Sequence, residues 1–254
     1  MPAVARLVLG VACAALSVAA VAQPAGVNPL GWTDAATAQL RGAVAEVDAA
    51  TWSVDFSRRT VVKAAQTAHT VDTYDERGAI MVRQTFDSDG QPDAKTVYQY
   101  EPDGRKRVST TYSAAGDRTL QTLYAYTADG CLARMRFTDA DAVTISITEV
   151  GTAERWVQTA ELFKDGEKVT TTYVFDDKGR LAEIRRDDGS SSSTLRLTMG
   201  LSGLPVRGAY AASDGRRATL AYEHEADEFG NWTRRTTYVD GVATELTERR
   251  IRYR

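Results

Sequence analysis

The sequence predicts an all-β protein: a long antiparallel β-meander of hairpins curling into a rolled sheet or half-barrel, with a short N-terminal helix ahead of it. Three observations carry this. Glycines stand at Gly78, Gly90, Gly104, Gly116 and Gly130, at intervals of 12, 14, 12 and 14. Between them polar and apolar residues alternate with the period of two that marks a strand. A ring precedes each glycine by four residues, in "YDERG", "FDSDG", "YEPDG", "YSAAG" and "YTADG".

The first segment is a leader. "MPAVARLVLGVACAALSVAAVA" holds one Arg and no acid, runs apolar from Leu7 and closes on Ala20-Val21-Ala22, which predicts a secretory signal over residues 1–22 removed before Gln23. Its apolar run of roughly 16 residues is shorter than the ~20 that span a bilayer. Cys13 is followed by apolar residues rather than a polar tether, so a lipid-anchored form is set aside. The protein is therefore expected to be exported, periplasmic or secreted. The mature chain carries 30 basic and 34 acidic residues, a net of −4, and this balance gives no reason to expect nucleic acid as a partner. Cys131 is its single cysteine, so no intrachain disulfide is expected.

Residues 23–60 form an N-terminal segment. Within it Leu40, Val44 and Val47 recur at helical spacing, with Thr33 or Asp34 as N-cap, and predict one amphipathic helix over about 34–48. From about Trp52 the period shortens to two, and residues 61–254 read as the meander. Thr96, Tyr98 and Tyr100 share one parity, as do Val108, Thr110 and Tyr112, and then Leu120, Thr122, Tyr124 and Tyr126. The 12/14 alternation is expected if turns at the two ends of the sheet differ in length. Glycine supplies the positive φ that ends a tight turn, an Asp or Ser before it seeds the turn, and the ring at the strand end is placed to stack on a ring in the next strand.

Downstream, Gly166 and Gly179 keep the beat, Phe175 keeps the four-residue offset, and Ser190 to Ser193 read as a hairpin tip between "LAEIRR" and "TLRLTM". "TISITEV", "AERWVQTAEL", "RATLAYEHEA", "NWTRRTTYV" and "ATELTERRIRYR" add strands, for about 14 or 15 in all. A flat sheet of that many strands at ~4.8 Å spacing is roughly 70 Å wide, and open twisted sheets rarely exceed ~10 strands without folding over. Hence the curl, with the helix over an open face or one end. The terminal "ERRIRYR" reads as a charged edge that discourages pairing.

"TYDERG", "YEPDG", "FDDKGRL" and "DEFGNWTRRTTY" resemble the tyrosine-aspartate (YD) repeats of rearrangement-hotspot-type bacterial proteins, over roughly residues 70–254. The ending "DEFGNWTRRTTYVDGVATELTERRIRYR" looks like the closing segment of small exported YD-repeat-like proteins. The resemblance implies a long antiparallel sheet that curls, in large members into a shell around a toxin. The chain departs from them: "DPxGL" is absent, the nearest string being "GLSGLP", and no non-repeat domain follows the final strand. A toxin carrier is not expected.

No motif announces chemistry. His69 and His224 lie in distant strands with no ligand or nucleophile signature between them, and read as strand-surface residues. Cys131 reads as a structural thiol, and "DSDGQPD", with Asp87, Asp89 and Asp93 in one turn, as turn chemistry rather than a calcium loop. No cofactor or metal is expected. "NWT" at Asn231 to Thr233 reads as structure, with Asn231 a turn residue after Gly230 and Trp232 a core or aromatic-ladder residue. In the last strand Glu245 and Arg249 share one parity while Glu248, Arg250 and Arg252 share the other, leaving no face for lipid. The candidate binding residues are the ring-bearing Tyr98, Tyr100, Tyr112, Tyr124, Tyr126 and Trp232, which suit sugar rings or a peptide. The expected function is an exported, non-enzymatic scaffold or binding module meeting a protein or glycan of the envelope. The alternatives are a carboxylate-dependent, glycosidase-like hydrolase within the curl and an immunity-like protein neutralising a secreted toxin.

Overall fold

Period-two alternation punctuated by left-handed glycines commits a chain to consecutive hairpins. The computed structural model describes residues 38–56, 60–153 and 156–254, the side chains of 152 and 153 excepted. Sixteen strands follow one another: β1 (Val44–Asp55), β2 (Val62–Tyr74), β3 (Ile80–Phe86), β4 (Pro92–Tyr100), β5 (Lys106–Ser113), β6 (Arg118–Tyr126), β7 (Leu132–Asp139), β8 (Thr144–Ala153), β9 (Trp156–Phe163), β10 (Lys168–Phe175), β11 (Leu181–Asp187), β12 (Ser192–Met199), β13 (Pro205–Ala212), β14 (Arg217–Ala226), β15 (Trp232–Val239) and β16 (Val242–Tyr253). Each pairs antiparallel with its sequence neighbours, and β1 pairs with β16, so the expected rolled sheet is a closed barrel.

The turns follow one pattern. The backbone N–H of Gly78 donates to the Asp75 carbonyl, and that of Asp75 to the Ala79 carbonyl. Asp75 Oδ1 accepts the N–H groups of Arg77 and Ala79. Asp87 Oδ1 does the same for Asp89 and Gln91 at the opposite end of the barrel, which occupies the acid that opened the calcium reading. Among the described residues no group of three His, Cys, Asp or Glu is placed to hold a metal.

The turns at both ends are therefore alike, and the 12/14 alternation does not come from turn length. It lies in the strands: β3 has seven residues and β4 and β6 have nine. The pairing Thr73, Val82, Val97, Thr110, Gln121, Thr138 moves one residue further from the Tyr74 end with every strand. This constant stagger is the shear that lets a tilted sheet meet its own far edge.

The expected helix over 34–48 is not formed. Residues 34–37 lie outside the described residues, and Val44–Asp55 is strand β1. Leu40, Val44 and Val47 do bury together, with Tyr74, Ile80 and Tyr98. Their helix-like spacing arises from a bulge between Val44 and Glu46, which turns two residues three apart to the same face. Gln39 and Gly42, at φ 59° and 79°, also break any helix there. Pairing on both edges, with β16 and β2, then outweighs local helix propensity.

The "ERRIRYR" ending likewise does not blunt an edge. It is paired, and its charges serve the seam: Arg252 bonds Glu46 at 3.1 Å and Glu248 bonds Lys63 at 2.8 Å. The Arg254 side chain donates to the carbonyls of Val44 and Tyr74, and its N–H to Ala43.

Directly paired residues share a face. The outer face carries cross-strand ion pairs around the circumference, Arg134 with Glu149, Arg196 with Glu183 and Arg234 with Glu225, at 2.7, 2.7 and 2.8 Å. His69 is also outside, bonded to Asp48 at 2.9 Å and stacked on Phe86. The inner face holds an apolar girdle including Met135, Val157, Tyr173, Ile184, Leu195 and Leu220. Threonines line much of the remainder, with Thr96 and Thr111 hydroxyls 2.9 Å apart and Thr51 and Thr247 3.1 Å apart.

Candidate binding site on the inner wall

The stretch "DEFGNWTRRTTY" runs from the β14–β15 turn along β15, and the structure divides its residues between closing the barrel and lining it. Asp227 nucleates the turn, its Oδ1 accepting the N–H groups of Phe229 and Asn231, and its other oxygen accepts the Tyr253 hydroxyl. Asn231 is 0% exposed. Its Oδ1 accepts the Arg41 N–H at 2.6 Å, and its Nδ2 donates to the Arg41 carbonyl at 2.9 Å and to the Tyr253 hydroxyl at 2.6 Å. Asn231 is more than the expected turn residue; it clamps the N-terminal strand entry to the C-terminal strand.

A register shift between Glu225 and Ala226 then brings Trp232, three residues from Arg235, onto the same inner face. Across β14 to β16 that face presents Tyr222 opposite Thr237 and His224 opposite Arg235, with Glu245 opposite Thr237 and Thr247 opposite Arg235. Arg249, two residues on from Thr247, lies over the Trp232 ring with its guanidinium carbon 3.5 Å from the centroid; that of Arg235 is 5.0 Å away. His224 meets the ring edge-on, with centroids 6.3 Å apart. Trp232 is thus the core residue expected, and its ring is held between cations.

The electrostatics are unbalanced. Arg235 and Glu245 face each other at 3.7 Å, with side chains 8% and 9% exposed. Asp72 is bound through both oxygens by Arg83, at 2.7 Å each, and reaches Arg249 through its field alone. Among the described residues no carboxylate is ion-paired to Arg249. Burial, reinforced by Arg235, pushes its guanidinium down to about 9. Burial also lowers Arg235, opposed by Glu245. Tyr222 is pushed up to about 12, by burial first. The Tyr222 hydroxyl, Arg235 Nε, Thr237 Oγ1, and Arg249 Nε and Nη1 are buried without a hydrogen-bond partner among the described residues. Each such group costs about 1–3 kcal/mol.

The sequence places His224 on a strand surface; it is instead half-buried on the inner face. Burial, then Arg235 and Arg249, lower its pKa from 6.5 to about 4. The unfolded chain therefore takes up a proton that the folded barrel refuses. The stability is present above pH 6.5 and is lost as pH falls from there toward about 4. His224→Asn is expected to flatten this acid limb, measured by urea denaturation across pH 4–7.5; an unchanged slope would refute the assignment.

The other candidate rings are placed differently. Tyr98, Tyr100, Tyr124 and Tyr126 share the inner face, whereas Tyr112, paired with Lys95, is on the outer one. Tyrosines at the same place in successive repeats act alike: Tyr100 donates its hydroxyl to the Ile80 carbonyl at 2.5 Å, and Tyr126 to the Lys106 carbonyl at 2.8 Å. The four-residue offset thus places a ring that ties one hairpin to the hairpin before it. Tyr124 and Tyr126 border a groove of about 630 Å³, together with Glu101, Asp103, Arg105 and Lys106. Cys131 is half-buried, its Sγ 3.8 Å from Asp129 Oδ2. The arginines were missed as site residues. Their signal is the RR doublet in a strand, which must send one arginine to each face: Arg235 inward with Arg234 outward, and Arg249 inward with Arg250 outward.

No protein-family model matches the chain, and no curated protein matches it. Among solved structures it is similar to a porin-like protein from Bacteroides uniformis, with 11% identity and a TM-score of 0.42, covering 82% of this chain and 96% of that one. A porin-like protein from Bacteroides vulgatus gives 13% and 0.42, covering 84% and 99%. A chain of the Photorhabdus luminescens Tc holotoxin pore gives 13% and 0.25, covering 68% and 14%.

Proposed function

We propose that the protein is an exported, non-enzymatic binding module of the cell envelope, of the YD-repeat type, whose barrel wall faces water and whose binding surface is the inner wall. The observation that carries this reading is the distribution of polar groups. Ion pairs ring the outside, where an Arg or Lys at a bilayer midplane costs about 2–4 kcal/mol. Five of the seven buried polar atoms without a partner among the described residues, on Tyr222, Arg235, Thr237 and Arg249, lie inside. The girdle packs much of the interior, Met135, Val157, Ile184 and Leu195 being buried. Inward residues such as Tyr124, Phe137, Leu197 and Tyr210 keep part of their surface accessible.

Asp72 and Glu245 do not make a glycosidase pair. That chemistry sets two carboxyls about 5–9.5 Å apart. Asp72 aligns through Val47 with Ile251, six residues along β16 from Glu245, an offset of roughly 20 Å. Native mass spectrometry of the full chain, incubated with a low-molecular-mass envelope extract, is expected to show a bound small molecule that is released unchanged. Turnover that vanishes on Glu245→Gln, or no bound species from any fraction, would overturn the proposal.

A further inference from the structure

We propose that the inner wall formed by Tyr222, Arg235, Thr237 and Arg249 is an oxyanion site that holds the carboxylate or phosphate group of a ligand. The proposal rests on reading the barrel interior as the binding surface. Among the described residues, two guanidiniums and one carboxylate leave this wall with one positive charge in excess, since Asp72 is already spent on Arg83. Every buried polar atom on this wall without a partner among the described residues is a donor or a hydroxyl: Arg235 Nε, Arg249 Nε and Nη1, Thr237 Oγ1 and the Tyr222 hydroxyl. Arg235 and Thr237 are 7% and 0% exposed, so water reaches them from neither side of the wall, and an oxyanion meets them only by way of Arg249.

The geometry favours an oxyanion over other ligands. A planar guanidinium matches the paired oxygens of a carboxylate or phosphate, and charge-assisted bonds of this kind are about twice as strong as neutral ones. Arg249 is fixed against Trp232 at 3.5 Å, so its donors are oriented before any ligand arrives. It is also half-buried rather than sealed, which leaves the wall open to the interior at that residue. A cationic ligand would be repelled by Arg249, and an uncharged one would leave the excess charge uncompensated. The two sources of oxyanion share this chemistry and differ in shape, planar against tetrahedral.

Isothermal titration of the full chain with inorganic phosphate, acetate and benzoate, in low-salt buffer, tests the proposal. At least one is expected to bind saturably at one site, phosphate alone indicating a phosphoryl group and the acids alone a carboxylate. Arg249→Gln is expected to weaken that binding about 10–100-fold, the loss of one or two charge-assisted bonds. Arg249→Lys, which keeps the charge without the fork, is expected to fall between. A second readout separates ligand binding from a structural role. Without anion, Arg249→Gln removes an uncompensated buried charge and is expected to melt at or above the wild-type temperature, and added anion raises wild type only. A variant that melts lower with its anion response intact makes Arg249 structural and overturns the proposal, as does the absence of saturation with all three anions. If a species bound from envelope extract persists in Arg249→Gln, the binding-module reading stands while the oxyanion site falls.

Discussion

Asn231→Ala is expected to lower stability by about 3–5 kcal/mol. The side chain is inaccessible to solvent and satisfies both the N–H and the carbonyl of Arg41, besides bonding the Tyr253 hydroxyl. Alanine fills none of these roles, and each buried group left unpaired costs about 1–3 kcal/mol. For a chain of this size 1 kcal/mol corresponds to roughly 2–4 °C, so the melting temperature is expected to fall by about 6–20 °C. The damage is expected at the seam: amide exchange should rise first along Ala43–Ala50 and Glu248–Tyr253, where β1 meets β16. A small loss of stability, or faster exchange spread evenly over all strands, would show that the seam does not depend on this clamp.

Glu245→Leu is expected to cost about 3–5 kcal/mol, because it strands the Arg235 guanidinium in the wall with Arg249 as its cationic neighbour. The double variant Arg235→Met with Glu245→Leu is expected to recover most of that loss, since a buried ion pair replaced by packed apolar side chains is often neutral or stabilising. Urea denaturation of the two singles and the double gives the coupling. Additive losses would mean that the two side chains contribute nothing as a pair. Glu245→Leu also raises the excess charge on the wall, so its melting temperature is expected to respond more steeply to phosphate than wild type does.

The strand ladder was legible because its cause is local. Alternating side chains and a left-handed glycine decide strand and turn without help from distant residues, and Gly78 to Gly130 take φ between 76° and 91° where the spacing put them. Closure was written in the same spacing. Two extra residues in every second interval are the stagger of one residue per strand, but they could be read as longer turns until the partners Thr73 to Thr138 were known. Strand β1 was illegible for the opposite reason. Its bulge at Val44–Glu46 mimics helical periodicity, and only its pairing with β16, at the far end of the chain, makes it a strand.

The proposed wall was half legible. The shared parity of Glu245 and Arg249 was visible, but which parity faced inward depended on barrel closure. The inward swing of Trp232 depended on the Glu225–Ala226 shift, which no composition reveals. Of the rings that the sequence singles out, Tyr112 lies on the outer face, while Tyr100 and Tyr126 use their hydroxyls to bind backbone.

The seam between β1 and β16 constrains how the molecule is born. The Glu46–Arg252 contact joins residues 206 positions apart. At about 5–20 residues per second, a ribosome needs roughly 10–40 s to make the second partner after the first. Throughout that interval β1 can pair only with β2, and its other edge stays open to any strand that will zip onto it.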